Sequence, residues 1–280
     1  MKRRILFTGG TGFIGRSIIP ELRRAHDVFA PTRKELNLFD ADAIGRYISK
    51  NAIDGIIHAA AAGASRSRSE GNIYDANIKI FDSLFQHVDD VDFFINFDSG
   101  AIFDKTQSIS NKNIVDIWTS KPKDPYGLSK VNNAVQVLAE PKAVNLRLYG
   151  CFGPLEDRTR FISTCIYNAH HNLNLNVNDM YMDFFYVDDL IPVLNYCMDY
   201  LHLKDVDLVY PNSGLVALSH IAREIYGMSK SSGNIIVNDE LMPFYYCGNF
   251  HNLNSLNLKL KGLMKGLYEC YDYSVRKRLL

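Results

Sequence analysis

The chain has 280 residues, enough for one large α/β domain or for a cofactor domain with a smaller lobe. Lysine plus arginine and aspartate plus glutamate each number 31, so the formal net charge is zero and there is no general electrostatic reason to bind nucleic acid or an acidic membrane. Hydrophobic residues at 47% and charged residues at 22% suit an ordinary globular protein, and no run approaches the ~18–20 apolar residues of a membrane span.

The start, MKRRILF, is basic then apolar, but its apolar run stops at a glycine turn and is too short for a signal peptide. A cytoplasmic protein is expected. Cys151, Cys165, Cys197, Cys247 and Cys270 show no CxxC spacing, so they read as buried free thiols of a reducing compartment.

Residues 4–8 form an apolar run that enters a glycine cluster, the pattern of a buried parallel strand. Residues 13–24 carry Phe13, Ile14, Ile18, Ile19 and Leu22 at helical spacing, with Pro20 inside the pattern. Strands are predicted at 27–31, 54–59, 91–97 and 143–149, and helices at 41–50, 74–88 and 126–140. Residues 63–72 (GASRSRSEGN), with Arg66, Arg68 and Glu70, read as a polar loop. This alternation predicts an α/β fold: a Rossmann-type doubly wound parallel sheet with a smaller C-terminal substrate-binding lobe. Its expected division is a dinucleotide-binding domain over 1–150, with returns from 183–201, and a lobe over 151–280. Within the lobe, helices are predicted at 161–171, 187–201 and 217–227, with irregular or short-stranded stretches at 176–186 and 228–250.

The segment Thr8-Gly9-Gly10-Thr11-Gly12-Phe13-Ile14-Gly15 joins the first strand to the first helix. Gly9 permits the tight turn, Gly12 lets backbone approach a pyrophosphate, and Gly15 lets helix and strand pack closely. The helix N-terminus then offers N–H groups and a positive dipole end to the phosphates. At the exit of the second strand, Phe29-Ala30-Pro31-Thr32-Arg33-Lys34, no acid stands ready for the ribose hydroxyls of NAD. Arg33 follows instead, which favours NADP(H) and leaves NAD(H) possible; Lys34 reads equally well as surface solvation.

Tyr126 and Lys130 are four residues apart and so share one helix face. An ammonium beside a phenol favours phenolate and lowers the tyrosine pKa toward useful acid–base chemistry. Ser99 follows the strand at 91–97, placed either to bond a substrate oxygen or to cap the strand end. His170 and His171 lack carboxylate partners at ligand spacing, and no metal site is expected.

Taken together, the TGGTGFIG turn, HAA at 58–60, DSGAIF at 98–103, Tyr126 with Lys130, RLYGCFGP at 147–154 and DFFYVDDL at 183–190 resemble the extended short-chain dehydrogenase/reductase family, the NAD-dependent epimerase/dehydratase group. The resemblance covers nearly the whole chain. It implies a catalytic set of Tyr126, Lys130 and Ser99. It also implies a cofactor site formed by Gly9, Thr11, Gly12, Phe13, Ile14, Gly15, Arg33, Leu38, His58, Ala59 and Ala60, with Tyr126 and Lys130. Ser99, Gly100, Arg147 and Arg160 would contact substrate, and Asn77 would support the active-site network. Asp188 and Asp189 are expected to cap the helix at 190 and to brace the fold.

The family acts mostly on nucleotide-linked sugars. The segment from Pro31 to Asp40 is similar to GDP-fucose synthases and related 4-keto-6-deoxysugar reductases. Their epimerising cysteine is matched here by Ala101 and their histidine by Arg160, which implies reduction of a 4-keto group without 3,5-epimerisation. An NAD-dependent 4-epimerase is the alternative, and a non-catalytic dinucleotide sensor a minor one. Two further departures stand at Gly150, where relatives carry an asparagine, and at Met182, where they carry an arginine. By the same resemblance, the helices at 74–88 and 126–140 imply a homodimer.

Overall fold

The computed structural model describes residues 1–62, 72–210, 216–238, 244–249 and 251–277, so the polar loop with Arg66, Arg68 and Glu70 lies outside the described residues. Through residue 148 strand and helix alternate: β1 (Arg4–Thr8), α1 (Phe13–Ala25), β2 (Asp27–Phe29), α2 (Ala41–Lys50), β3 (Gly55–His58), α3 (Ile73–Phe85), β4 (Phe93–Ser99), α4 (Pro125–Ala139) and β5 (Ala143–Leu148). Then come β6 (Gly150–Phe152), α5 (Phe161–His170), β7 (Leu175–Asn178), β8 (Tyr181–Met182), β9 (Phe184–Tyr186), α6 (Leu190–Asp199) and β10 (Asp205–Asp207). The chain closes with α7 (Leu218–Ser229), β11 (Ile235–Asn238), β12 (Tyr245–Tyr246), α8 (His251–Ser255) and α9 (Leu263–Arg276).

Two compact units emerge. The first comprises 1–104, 113–148 and 190–206; the second comprises 105–112, 149–189 and 207–280. Against the expected division, the boundary falls between 148 and 149, 105–112 joins the second unit, and the return to the first spans 190–206 rather than 183–201.

The first unit holds a six-stranded sheet in the order β10-β5-β4-β3-β1-β2. The pairings of β1 with β2 and β3, of β3 with β4 and of β4 with β5 are parallel, which makes this a Rossmann-type doubly wound α/β fold. Strands β3, β4 and β5 are buried almost throughout, as expected for a sheet covered on both faces. One core cluster packs Leu6, Ile56 and Phe94 of the strands against Ile44 and Ile48 of α2 and Phe81 and Leu84 of α3. Asp40, Asn72 and Asp124 begin α2, α3 and α4 by accepting from the N–H groups of residues 43, 75 and 127. Helix α1 continues through Pro20, which is exposed, so the lost backbone bond falls on the solvent side.

The second unit is built from short parallel strand pairs, β6 with β9, β7 with β11 and β8 with β12. Helices α5, α7 and α9 pack on one another. Asp189, expected at the start of the helix at 190, serves α9 instead. Its carboxylate accepts from the N–H groups of Lys261 at 2.7 Å and Gly262 at 2.9 Å, and from the Tyr210 hydroxyl. Asp188 accepts from Lys261 Nζ at 2.9 Å, and that ammonium also meets Glu269 at 2.7 Å. Gly262 has no side chain, so the buried Asp189 supplies the anion that the helix start needs.

Candidate active site

The glycine turn is shaped by backbone contacts that exclude side chains. Gly9 has φ +77°, and a Cβ there would lie 2.8 Å from the main chain of Ala59 and Ala60. A Cβ on Gly15 would lie 2.6 Å from the Gly9 carbonyl oxygen and from Gly10 Cα, which is why α1 can start so close to β1. Gly12 closes the turn by donating its N–H to Gly9 O at 2.9 Å. Thr11 and Gly12 are exposed, while Phe13 and Ile14 are half-buried. Gly12 cannot cap α1 with a side chain, so the first-turn N–H groups are open to an anion.

The HAA segment lies against this turn. His58 is buried beside Thr8, Nδ1 to Oγ1 2.8 Å, and burial with the nearby Lys130 charge lowers its pKa to about 3, so the ring is neutral. The Ala60 N–H donates to the same Thr8 oxygen at 3.4 Å. Past β2, Arg33 is exposed, while Leu38 is half-buried against the core cluster of the first unit.

Tyr126 and Lys130 lie on the first two turns of α4. Lys130 is 5% exposed and its Nζ donates to the Phe97 carbonyl at 2.6 Å, with the Tyr126 ring centroid 5.8 Å away. Burial holds the Lys130 pKa below the usual lysine value, and the charge of Asp98 offsets only part of that effect. Ser99 ends β4, and its oxygen accepts from Ala101 N at 3.2 Å, so it does cap the turn of residues 100–102. That bond uses a lone pair and leaves the hydroxyl proton to donate. Gly100 and Ala101 are buried.

Sequence reasoning passed over Gly127. A Cβ there would stand 2.4 Å from the Ala101 carbonyl oxygen and 2.6 Å from Pro122 Cβ, so a glycine lets α4 begin directly on the turn that carries Ser99. Its signal was the glycine directly after Tyr126. Asn77 is buried and donates to Ser129 Oγ at 3.1 Å, while Ser129 donates to the Tyr126 carbonyl at 2.7 Å.

Arg147 is corrected by its surroundings. It was expected to contact substrate, but its side chain is 1% exposed and pairs with Asp98 and Asp205 within the sheet. A guanidinium committed to two internal carboxylates is not available to a ligand. Arg160, in the second unit, keeps a side chain 44% exposed and sits 3.6 Å from the buried carboxylate of Glu156. The departures at Gly150 and Met182 are spatially one feature: a Cβ on Gly150 would lie 2.8 Å from Met182 Cε and 2.9 Å from the Asp183 carbonyl.

Among the described residues no group of three or more His, Cys, Asp or Glu is arranged to hold a metal ion, and no helix is long and apolar enough to cross a membrane. All five cysteines are buried and unbridged.

A turn whose glycines leave no room for side chains, a helix start without a side-chain cap and a Tyr–Lys pair on one helix are features of an NAD(P)-dependent oxidoreductase on a Rossmann-type sheet. Residues 5–206 match the model of the NAD dependent epimerase/dehydratase family, and the chain belongs to that family. A CDP-abequose synthase of Yersinia pseudotuberculosis is 24% identical over 214 residues, 69% of this chain and 72% of that protein. A GDP-mannoheptose C4 reductase of Campylobacter jejuni, solved with NADP bound, superposes with a TM-score of 0.82 at 15% identity, covering 98% of each chain. A UDP-glucose 4-epimerase of Thermotoga maritima, solved with UDP-glucose, gives 0.81 at 18% identity, covering 99% of this chain and 100% of the other.

Proposed function

We propose that this protein is an NADPH-dependent reductase of the 4-keto group of a nucleotide-linked 4-keto-6-deoxysugar and that it does not epimerise C3 or C5. The carrying observation is a single acid–base couple, Tyr126 backed by Lys130, with an alkyl side chain at Ala101 where an epimerising enzyme needs a proton-transferring group. Arg33, exposed past β2 with no acid at the strand tip, supports NADPH.

In this reading the first-turn N–H groups of α1 receive the pyrophosphate, and Arg33 receives the 2′-phosphate. The bound nicotinamide supplies the hydride. Tyr126 donates the proton to the sugar oxygen as general acid, Ser99 holds that oxygen by its hydroxyl proton, and Lys130 supports the developing phenolate. In the second unit, Arg160 is the exposed cation assigned to substrate.

The test is a screen of CDP-, GDP-, UDP- and dTDP-linked 4-keto sugars, each with NADPH and NADH, followed at the nicotinamide absorbance band. Stoichiometric loss of NADPH with formation of one 4-hydroxy product is expected. Interconversion of sugars with no net cofactor consumption would establish the 4-epimerase instead, and dinucleotide binding without turnover would establish a sensor.

A further inference from the structure

Asp98, Arg147 and Asp205 stand on neighbouring strands β4, β5 and β10 of the first unit. Arg147 Nε donates to Asp98 Oδ2 at 2.9 Å and its Nη2 donates to Asp205; the Asp98 side chain is 0% exposed. Asp98 Oδ1 is buried and meets no hydrogen-bond partner among the described residues. A buried ion pair is a poor source of net stability, because desolvation offsets the attraction. A carboxylate oxygen left unpartnered inside a sheet therefore calls for another reason.

Its position supplies one. Side chains alternate along a strand, so Asn96 and Asp98 share one face of β4, and Asn145 and Arg147 share the corresponding face of β5, paired in register. Helix α4 covers that face, since Asn145 Nδ2 donates to the Ala134 carbonyl at 3.1 Å. Lys130 leaves the same helix one turn earlier and bonds the carbonyl of Phe97, the residue before Asp98. Burial opposes the Lys130 ammonium, and the charge of Asp98 opposes burial. Burial also pushes the Asp98 carboxyl up to about 6, while Arg147, Lys130 and the Ser99 backbone pull it down, and its ion pair with Arg147 at 2.9 Å favours the carboxylate. Among the described residues, Tyr126 on its own helix and the neutral His58 of β3 also interact with Lys130, while Arg147 and Asp205 act on Asp98.

We propose that Asp98 is a positioning residue for the proton-transfer pair: clamped by Arg147, which Asp205 holds from the other side, its carboxylate is the countercharge that keeps Lys130 charged beside Tyr126. The clamp fixes where the negative charge lies, and the unpartnered oxygen leaves part of that charge to act on the ammonium. The proposal rests on Lys130 and the family's dinucleotide chemistry, and not on the choice of sugar.

The test is the titration of Lys130 in cofactor-free protein, read from its Cε NMR signal and assigned by loss of that signal in Lys130→Arg. NADPH affinity against pH is the second readout. Asp98→Asn is expected to move both alkaline limbs down by about one pH unit or more, about tenfold in affinity at a pH on the limb. Asp98→Glu is expected to restore them. Asp205→Asn breaks the other arm of the same clamp and lowers stability, yet is expected to leave the limbs in place. If Asp98→Asn fails to fold, Asp98→Asn with Arg147→Met also removes the guanidinium that has lost one of its carboxylates, and a downward shift is still expected because it is the Asp98 charge that acts on Lys130. Unmoved limbs in the folded Asp98 variant, or equal shifts in the Asp98 and Asp205 variants, would overturn the proposal whatever the sugar screen shows.

Discussion

The side-chain amide of Asn77 grips the main chain of Ala62 from both sides: Ala62 N–H donates to Asn77 Oδ1 at 2.7 Å, and Asn77 Nδ2 donates to Ala62 O at 3.2 Å. The same Nδ2 reaches Ser129, which holds the Tyr126 carbonyl, so one buried amide ties the chain just past the HAA segment to the start of α4. Asn77→Ala is expected to cost about 2 kcal/mol of stability, from net bonds worth ~1 kcal/mol each and the groups left unsatisfied. It is also expected to lower kcat several-fold. Denaturant unfolding and steady-state kinetics check the two effects, and a variant as stable and active as wild type would remove Asn77 from the network.

Gly15→Ala is expected to abolish dinucleotide binding, because its Cβ would meet backbone atoms at 2.6 Å and no flexible side chain can give way. Gly227→Ala is the matched control: it lies in α7 with nothing within 4 Å of an added Cβ. A gain of about 0.5–1 kcal/mol with unchanged binding is expected there. Fluorescence titration with NADPH and thermal unfolding separate the two.

Tyr126→Phe removes the proton and keeps the ring that faces Lys130. Turnover should fall by three orders of magnitude or more, on the order of 4 kcal/mol in the barrier, while the Kd for NADPH changes less than about threefold. Retained turnover would take Tyr126 out of the acid role.

Arg33→Ala should weaken NADPH at least tenfold and leave NADH nearly unchanged, since only the 2′-phosphate loses a charge-assisted partner. Parallel Kd measurements with the two cofactors decide it; equal losses for both would point to a general loop defect.

Glu156 in the second unit gives a pH dependence with a definite sign. Burial pushes its pKa up from 4.5 to about 7, against the opposing pull of Arg160 and Ser163. The folded state therefore holds its proton more tightly than the unfolded chain does. The stability this supplies is complete below pH 4.5 and is lost as pH rises through about 7. Glu156→Gln is expected to remove that slope and to raise stability at pH 8 by on the order of 2 kcal/mol. Melting curves of both proteins from pH 5 to 8 check it; parallel curves would show that the carboxyl is not the source.

Elements buried on both faces, or capped by a visible Asp or Asn, were legible in the sequence. The strand at 4–8 and the helix at 41–50 have the observed bounds, because an apolar run and an Asp40 cap are purely local signals. The strand β10 was missed, as three residues with two aspartates carry no strand pattern, and Asp205 is there for Arg147 rather than for the ladder. Helix α9 was missed too. Its buried face is only Gly266, Leu267 and Cys270, and the carboxylate at its N-terminus comes from Asp189, far away in sequence. The site followed the same rule. The glycine turn and the Tyr–Lys spacing are local, whereas the fate of Arg147 depended on two acids from other strands. Position 98 gave no hint, since the arginine that pairs with it lies 49 residues away on another strand.

The sixth strand of the first unit has a consequence for how the chain is made. Residues 190–206 return to that unit only after 149–189 have been laid down in the second, and the second awaits its last helix near residue 276. A nascent chain emerging from a ribosome thus exposes the β5 edge of the sheet until α6 and β10 arrive. Neither unit can finish as a contiguous N-terminal piece, so folding is governed by contacts distant in sequence and is expected to be slow and vulnerable to aggregation during synthesis. Nonsense truncations before residue 207 should accumulate as insoluble chains rather than as a smaller dinucleotide-binding protein.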